Sequence, residues 1–234
     1  MSTLRDRYLA EIGVSTWRLR DAGGRAPAGG VQELRSDRTP EEPAREGKDD
    51  TWQALAAAVR ACTRCALHRG RTQTVFGVGR RDAQLLVIGE APGAEEDKQG
   101  EPFVGRAGQL LNAMLHAIGQ PRSEVYIANI LKCRPPGNRD PQPDEAASCT
   151  PYLTKQIALV QPRAILAVGR IAAQWLLQSD APIGRLRGRV FQYGEAGTPL
   201  VVTYHPAYLL RSPGEKAKAW TDLCMVRDLL SNER

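Results

Sequence analysis

The 234-residue chain has no run of eighteen apolar residues, so no segment reads as a membrane-spanning helix. Its first residues, Met1-Ser2-Thr3-Leu4-Arg5-Asp6, lack the apolar stretch of a secretory signal, and a cytoplasmic protein is expected. An even cysteine set is also missing. Five cysteines in a reducing compartment argue against a disulfide framework and point towards metal. There is no second close cysteine pair of the kind a zinc ribbon usually shows. Phenylalanine is scarce, with three in the chain, so one in a Gly- and Pro-rich loop stands out.

Charge is present in excess of one sign. The formal net charge is +6, and it is uneven. Residues 1–50 carry 9 basic and 10 acidic side chains, leaving 23 and 16 for residues 51–234. A basic main domain fits a polyanionic partner, although a basic solvated surface gives the same count. Residues 1–50 read as an N-terminal extension, largely flexible. Leu4, Tyr8 and Ile12 suit one short amphipathic helix, and the Gly, Pro and charged residues of 20–50 suit a linker.

From residue 51 to 234 the pattern is that of one globular domain. Trp52–Arg60 is a strong helix former with Asp50 or Thr51 as its cap. Leu85–Ile88, Val125–Ile130, Ala164–Val168 and Leu200–Tyr204 read as buried strands. Helices are expected over Gly105–Ile118, over 143–160 with a break or kink at Pro151, and from Gly169 through Leu177. A last helix opens at Ser212-Pro213 with Glu215 completing a capping box. Strands separated by helices predict an α/β fold of three layers, with a central four-stranded parallel sheet flanked by helices. The residues that carry chemistry follow the strands, where open α/β sheets place their ligand site.

Cys62 and Cys65 form a Cys-x2-Cys pair. Sixty-seven residues intervene before Cys133, and fifteen more before Cys149. Four thiolates suit tetrahedral zinc or an iron-sulfur cluster, and spacing alone does not choose between them. Cys224, between Leu223 and Met225, reads as a buried free thiol.

Three segments carry a family resemblance. Gly89-Glu90-Ala91-Pro92-Gly93-Ala94-Glu95-Glu96-Asp97-Lys98-Gln99-Gly100-Glu101-Pro102-Phe103-Val104-Gly105 resembles the first motif of the family 4, iron-sulfur uracil-DNA glycosylases. His205-Pro206-Ala207-Tyr208-Leu209-Leu210-Arg211 is similar to the second motif, and Asn129-Ile130-Leu131-Lys132-Cys133-Arg134-Pro135-Pro136-Gly137-Asn138-Arg139 is also family-like. The resemblance covers about residues 52–230 and leaves 1–50 outside. It implies excision of uracil from single- and double-stranded DNA, by hydrolysis of the N-glycosidic bond after the base has left the stack, as the first step of base excision repair. It also implies a uracil-DNA glycosylase-like fold, one 4Fe-4S cluster on Cys62, Cys65, Cys133 and Cys149, and a monomer without membrane attachment.

Within that resemblance each site residue has a role. Phe103 stacks on uracil. The Asn129 amide donates to O4 and accepts from N3-H. His205 donates to O2 as charge builds on the departing base. Gly89, Ala91 and Gly93 let the loop approach the base closely. Glu90 orients water or the loop, because the Asp that follows this position in family 1 enzymes is Ala91 here. Glu96 crowds carbon 5 of the base and so excludes thymine. Leu209 or Leu210 fills the gap left by the flipped base. Arg211 contacts phosphate, and Arg170 and Arg187, with Arg185 and Arg189, form a second basic area. The competing readings are a superfamily relative with a broader range of deaminated bases, and a non-catalytic iron-sulfur DNA-binding protein.

Overall fold

A computed structural model of the chain describes residues 43–231. The amphipathic turn expected at 4–12 and the linker segment 20–42 lie outside the described residues. The first described helix, α1 (Pro43–Arg60), begins well before the cap expected at Asp50 or Thr51, so residues 43–50 are helical rather than linker. Proline in a first turn forfeits no intrahelical bond, which allows the earlier start. Trp52, Leu55 and Val59 then form the buried stripe that fixes α1 to the domain.

The sheet has six strands in the order β1-β3-β2-β4-β6-β5. These are β1 (Val78–Gly79), β2 (Leu85–Gly89), β3 (Tyr126–Asn129), β4 (Ala164–Val168), β5 (Val190–Tyr193) and β6 (Thr198–Thr203). The four expected strands form its parallel centre, β3-β2-β4-β6. Two antiparallel edge strands, β1 and β5, extend it beyond the expected four. Their sequences explain why they were not expected. β1 has two residues, and β5 only alternates exposed with half-buried positions. The β5–β6 hairpin closes through Gly194 and Gly197, both at positive φ, and this pairing makes β5 a strand.

Alternate residues of the central strands feed two separate cores, as period-two pleating requires. Leu86 and Ile88 face Trp52 of α1, Leu153 and Ile157 of α4 (Pro143–Val160), and Leu176 of α5 (Arg170–Leu177). Leu85 and Val87 face Leu111 and Leu115 of α3 (Arg106–Ala117), Leu209 of α7 (Pro206–Arg211), and Leu223 and Val226 of α8 (Lys216–Ser231). Two short helices complete the described set, α2 (Ala94–Gln99) and α6 (Ile183–Leu186). The three expected layers are therefore present. None of the described helices is long and apolar enough to cross a membrane.

Three local expectations differ from the structure. Helix α4 runs through Pro151 without ending. Pro151 lies on the exposed face, while Ala146, Cys149, Leu153, Ile157 and Val160 bury the other, and that packing outweighs one missing helical bond. The last helix starts at Lys216, because Pro213–Glu215 first makes a tight 3-10 turn. Ser212 makes no side-chain cap, and Glu215 pairs with Lys218 instead at 2.9 Å. Cys224 is half-exposed rather than buried, since the buried stripe of α8 passes through Ala219, Asp222, Leu223, Val226 and Leu230 and misses it.

Candidate active site and cysteine pocket

The carboxyl ends of all four parallel strands contribute to one site. Gly89 ends β2, Asn129 ends β3 beside it, Gly169 follows β4, and His205 follows β6 by two residues. Gly89 and Asn129 are register partners. A Cβ on Gly89 would lie 2.4 Å from Asn129 Oδ1 and 2.7 Å from Phe103 Cζ, so only glycine fits there. Asn129 is buried, and its Oδ1 has no hydrogen-bond partner among the described residues. Leaving a buried acceptor unpaired costs about 1–3 kcal/mol, so an orphan beside a glycine and an aromatic ring marks a place for a donor from a ligand.

Phe103 has φ 55, in the left-handed region that non-glycine residues seldom occupy. Its ring is 7% exposed and stacks on the His205 ring, with centroids 5.7 Å apart and planes at 30°. Two features hold the loop in this conformation. The Arg122 guanidinium donates to the carbonyls of Pro102 (2.8 Å) and Phe103 (3.4 Å), and to Asn112 Oδ1 (3.3 Å). Gly108, at the start of α3, allows the Phe103 carbonyl to approach where any side chain would collide with it at 1.8 Å. Nothing in the sequence pointed to Arg122, because its partners lie up to twenty residues away with no periodic relation to it.

His205 is the N-cap of α7, and its Nδ1 accepts from the Ala207 N–H at 3.1 Å. That bond leaves the proton of the neutral ring on Nε2. Burial, reinforced by Arg211 and opposed by Glu96, pulls the imidazolium pKa down to about 4. The ring is therefore a neutral Nε2–H donor at physiological pH. Its side chain lies against Gly169, where an added Cβ would come within 3.1 Å of His205 Cβ.

Glu96 has a different position from that of a residue pressing freely on a base. Its Oε1 accepts from the Val104 N–H at 3.2 Å, and its Oε2 lies 2.7 Å from where a Cβ on Gly93 would be. The carboxylate thus ties the Phe103 loop to the turn at Gly93, which caps α2. Ala91 packs against the first core. The Glu90 carboxyl is half-buried, and burial followed by the charge of Asp140 raises its pKa to about 7, while Arg170 acts in the opposite sense. Arg170 holds Asp140 at 2.7 Å. Asp140 is thus part of the site, although it lies one residue beyond the family-like segment that ends at Arg139.

Two of the residues expected to meet DNA are redirected. Arg187 is 14% exposed and pairs with the fully buried Asp222 (2.9 Å), over the Tyr204 ring at 5.3 Å. Removing an arginine from a buried carboxylate is strongly destabilising, so Arg187 holds α6 to α8 rather than reaching for phosphate. Leu209 is 1% exposed and belongs to the second core, because α7 turns its face inward there. Tyr208 and Leu210 are each 37% exposed, and Arg211 is exposed beside them. Arg170 is half-exposed.

The four cysteines come from separate elements. Cys62 and Cys65 follow α1, Cys133 follows β3, and Cys149 lies inside α4. All four line one small pocket with Arg64, His68, Arg71, Lys132 and Tyr152, and Cys224 is not among its lining residues. Among the described residues, no group of three or more His, Cys, Asp or Glu is gathered so as to hold a single metal ion. Burial raises the Cys133 thiol pKa and pushes that of Cys149 up to about 11, while Arg71, which donates to Cys133 Sγ at 3.1 Å, lowers that of Cys133. Cationic side chains around buried thiols suit a group that binds them as thiolates.

The profile of the Uracil DNA glycosylase superfamily matches residues 76–224, a span that contains Gly89, Phe103, Asn129 and His205. The chain is similar to the type-4 uracil-DNA glycosylase of Archaeoglobus fulgidus, with 40% identity over 77% of this chain and 94% of that protein. It is 41% identical to the type-4 uracil-DNA glycosylase of Pyrobaculum aerophilum over 74% of this chain and 91% of the relative. The type-4 uracil-DNA glycosylase of Thermotoga maritima is 41% identical over 70% and 86% respectively.

Proposed function

The chain belongs to the uracil-DNA glycosylase superfamily, and from that premise we propose that it hydrolyses the N-glycosidic bond of deoxyuridine in DNA and so starts base excision repair. The observation that carries this reading is the orphaned Asn129 Oδ1, walled by Gly89 and Phe103, with the His205 ring stacked on Phe103. Uracil answers each feature. Its N3-H supplies the missing donor, its flat ring suits an aromatic wall, and its O2 gathers the charge that an Nε2–H stabilises. A base flipped out of either single- or double-stranded DNA is unpaired, so both are substrates in this reading. The exposed Leu210, with Tyr208, faces the gap in the stack, and Arg211 and Arg170 face phosphate. The protein works as a monomer in the cytoplasm. Release of free base from matched oligonucleotides carrying uracil, cytosine or hypoxanthine tests the proposal. Uracil alone should be released, and release of hypoxanthine at a similar rate would give the broader-range reading instead.

Glu90 is placed to assist water. It is half-buried, faces Asp140 and Arg170, and has a pKa raised to about 7. If its carboxylate takes a proton from water or orients it, that contribution is present above about pH 7 and is lost as pH falls through that value. Single-turnover release should therefore rise through neutrality in the wild-type protein, and Glu90→Gln should remove the rise. Asp140→Asn should move it to lower pH. A wild-type rise that persists in Glu90→Gln would assign it to another group.

The cysteine pocket fits one 4Fe-4S cluster. Tetrahedral zinc draws its sulfurs to within about 3.8 Å of one another at Zn–S distances near 2.3 Å. Here the four thiols line one pocket, and among the described residues no three of them converge on a single metal-ion position. Cys62, Cys65, Cys133 and Cys149 would hold the cluster, and Arg71 would donate to the Cys133 sulfur. When bound, the cluster supplies cross-links between α1, the loop after β3 and α4, with no part in bond cleavage. Anaerobically purified protein is expected to be brown and to contain about four iron atoms per chain. One tightly bound zinc with no iron would overturn this assignment.

A further inference from the structure

Lys132 is 1% exposed, and no carboxylate is among its hydrogen-bond partners. Its ammonium donates to the main-chain carbonyl of Asn129 at 2.8 Å and to Gln156 Oε1 at 2.6 Å. Gln156, on α4, donates in turn to the Phe76 carbonyl (2.9 Å) and to Tyr126 Oη (3.1 Å). The other end of the Asn129–Ile130 peptide is also held, because the Ile130 N–H donates to the Gly89 carbonyl at 3.0 Å. One peptide plane is therefore clamped at both its oxygen and its nitrogen. That plane fixes ψ of Asn129, and with it the direction in which the Asn129 side chain leaves the strand. Among the described residues the side-chain Oδ1 itself has no partner to orient it. Its aim therefore depends on the clamp on its backbone, beside Gly89, where both Oδ1 and the Phe103 ring approach.

We propose that Lys132 is a positioning residue for base recognition, aiming the Asn129 amide by holding the Asn129–Ile130 peptide. The proposal rests on the reading of Asn129 given above. An ammonium suits this task because its three donors can hold a backbone oxygen and a side-chain oxygen on separate elements, β3 and α4. In a fully buried network, moving one member leaves others unpaired, which makes the arrangement rigid. Methionine in its place keeps the apolar stem and removes every donor.

The test is a double-mutant cycle with Lys132→Met, Asn129→Ala and the double variant, read by single-turnover uracil release and by DNA affinity. Lys132→Met should slow release by roughly ten-fold or more, the effect of leaving the buried Asn129 carbonyl and Gln156 Oε1 without their donor, with DNA affinity unchanged within about two-fold. In the Asn129→Ala background the same substitution should cost almost nothing further, because a residue acting through Asn129 has nothing left to aim. Equal losses in both backgrounds would show a general structural role and overturn the proposal. Amide hydrogen exchange supplies a readout independent of activity. Lys132→Met should speed exchange at residues 129–131 and leave β6 unchanged. Should the wild-type protein release no uracil, the proposed function fails, while unchanged exchange at 129–131 would separately reject the clamp. If Lys132→Met does not fold, Gln156→Met, which frees the ammonium from α4, enters the cycle in its place, with the same non-additivity expected.

Discussion

Replacement of His205 by alanine is expected to slow single-turnover uracil release by roughly 10²–10³-fold, the usual consequence of removing one donor to a developing oxyanion. Three features set the size of this effect. The ring is a neutral donor, because burial and Arg211 hold its pKa down to about 4. Its tautomer is fixed, because Nδ1 accepts from the Ala207 N–H and the proton must sit on Nε2. Its plane is fixed, because it stacks on Phe103 and rests against Gly169. A donor already oriented in a dry site needs no reorganisation as the bond breaks. DNA affinity should change little, since phosphate contacts dominate binding and the exposed Arg211 remains. Parallel measurement of release rate and affinity checks this. If both fell together, His205 would be a binding or folding residue.

The second large effect is expected at Asn129. Asn129→Asp changes the hydrogen-bond pattern with little change in volume. An ionised carboxylate repels uracil O4, so uracil release should fall sharply. The same carboxylate accepts from the cytosine amino group, and a shared proton at cytosine N3 would complete the match. Slow cytosine release should therefore emerge, more readily at mildly acidic pH. Each unmatched buried group costs about 1–3 kcal/mol, so the uracil rate should drop by at least ten-fold. The backbone that carries the amide is held, since the Asn129 carbonyl accepts from Lys132. Discrimination also requires that the amide not flip, because a flipped amide would read cytosine as well as uracil. Single-turnover release from matched uracil and cytosine oligonucleotides is the measurement. Wild-type behaviour of Asn129→Asp towards both bases would transfer discrimination to the backbone of the Gly89–Gly93 turn.

The sequence by itself determined the four central strands, their parallel arrangement and where the family motifs fall along them. Those properties are local. Leu85–Ile88 and Ala164–Val168 are uninterrupted apolar runs with glycine after them, and such runs have few places to go except the middle of a parallel sheet. Gly89, Asn129 and His205 fall after strands, so the common strand direction brings them to one edge without any knowledge of contacts. The motifs were legible for the same reason, since each is a short stretch of consecutive residues.

Only the tertiary structure decided which side chains were free to act. Leu209 and Leu210 are adjacent and chemically alike, yet the first is buried under α7 and the second is exposed, because helix orientation depends on α3 and α8. Arg187 reads like any surface arginine until Asp222, thirty-five residues later, is found buried beneath it. Glu96 and Arg122 shape the Phe103 loop from distances that no sequence period encodes. The four cysteines were visible as residues, but their meeting around one pocket required α4 to pack against α1 and β3 and so bring Cys149 to Cys133. In each case the deciding term is burial, or an ion pair between distant segments. Both depend on what the rest of the chain packs against a side chain, so neither can be read from its neighbours in sequence.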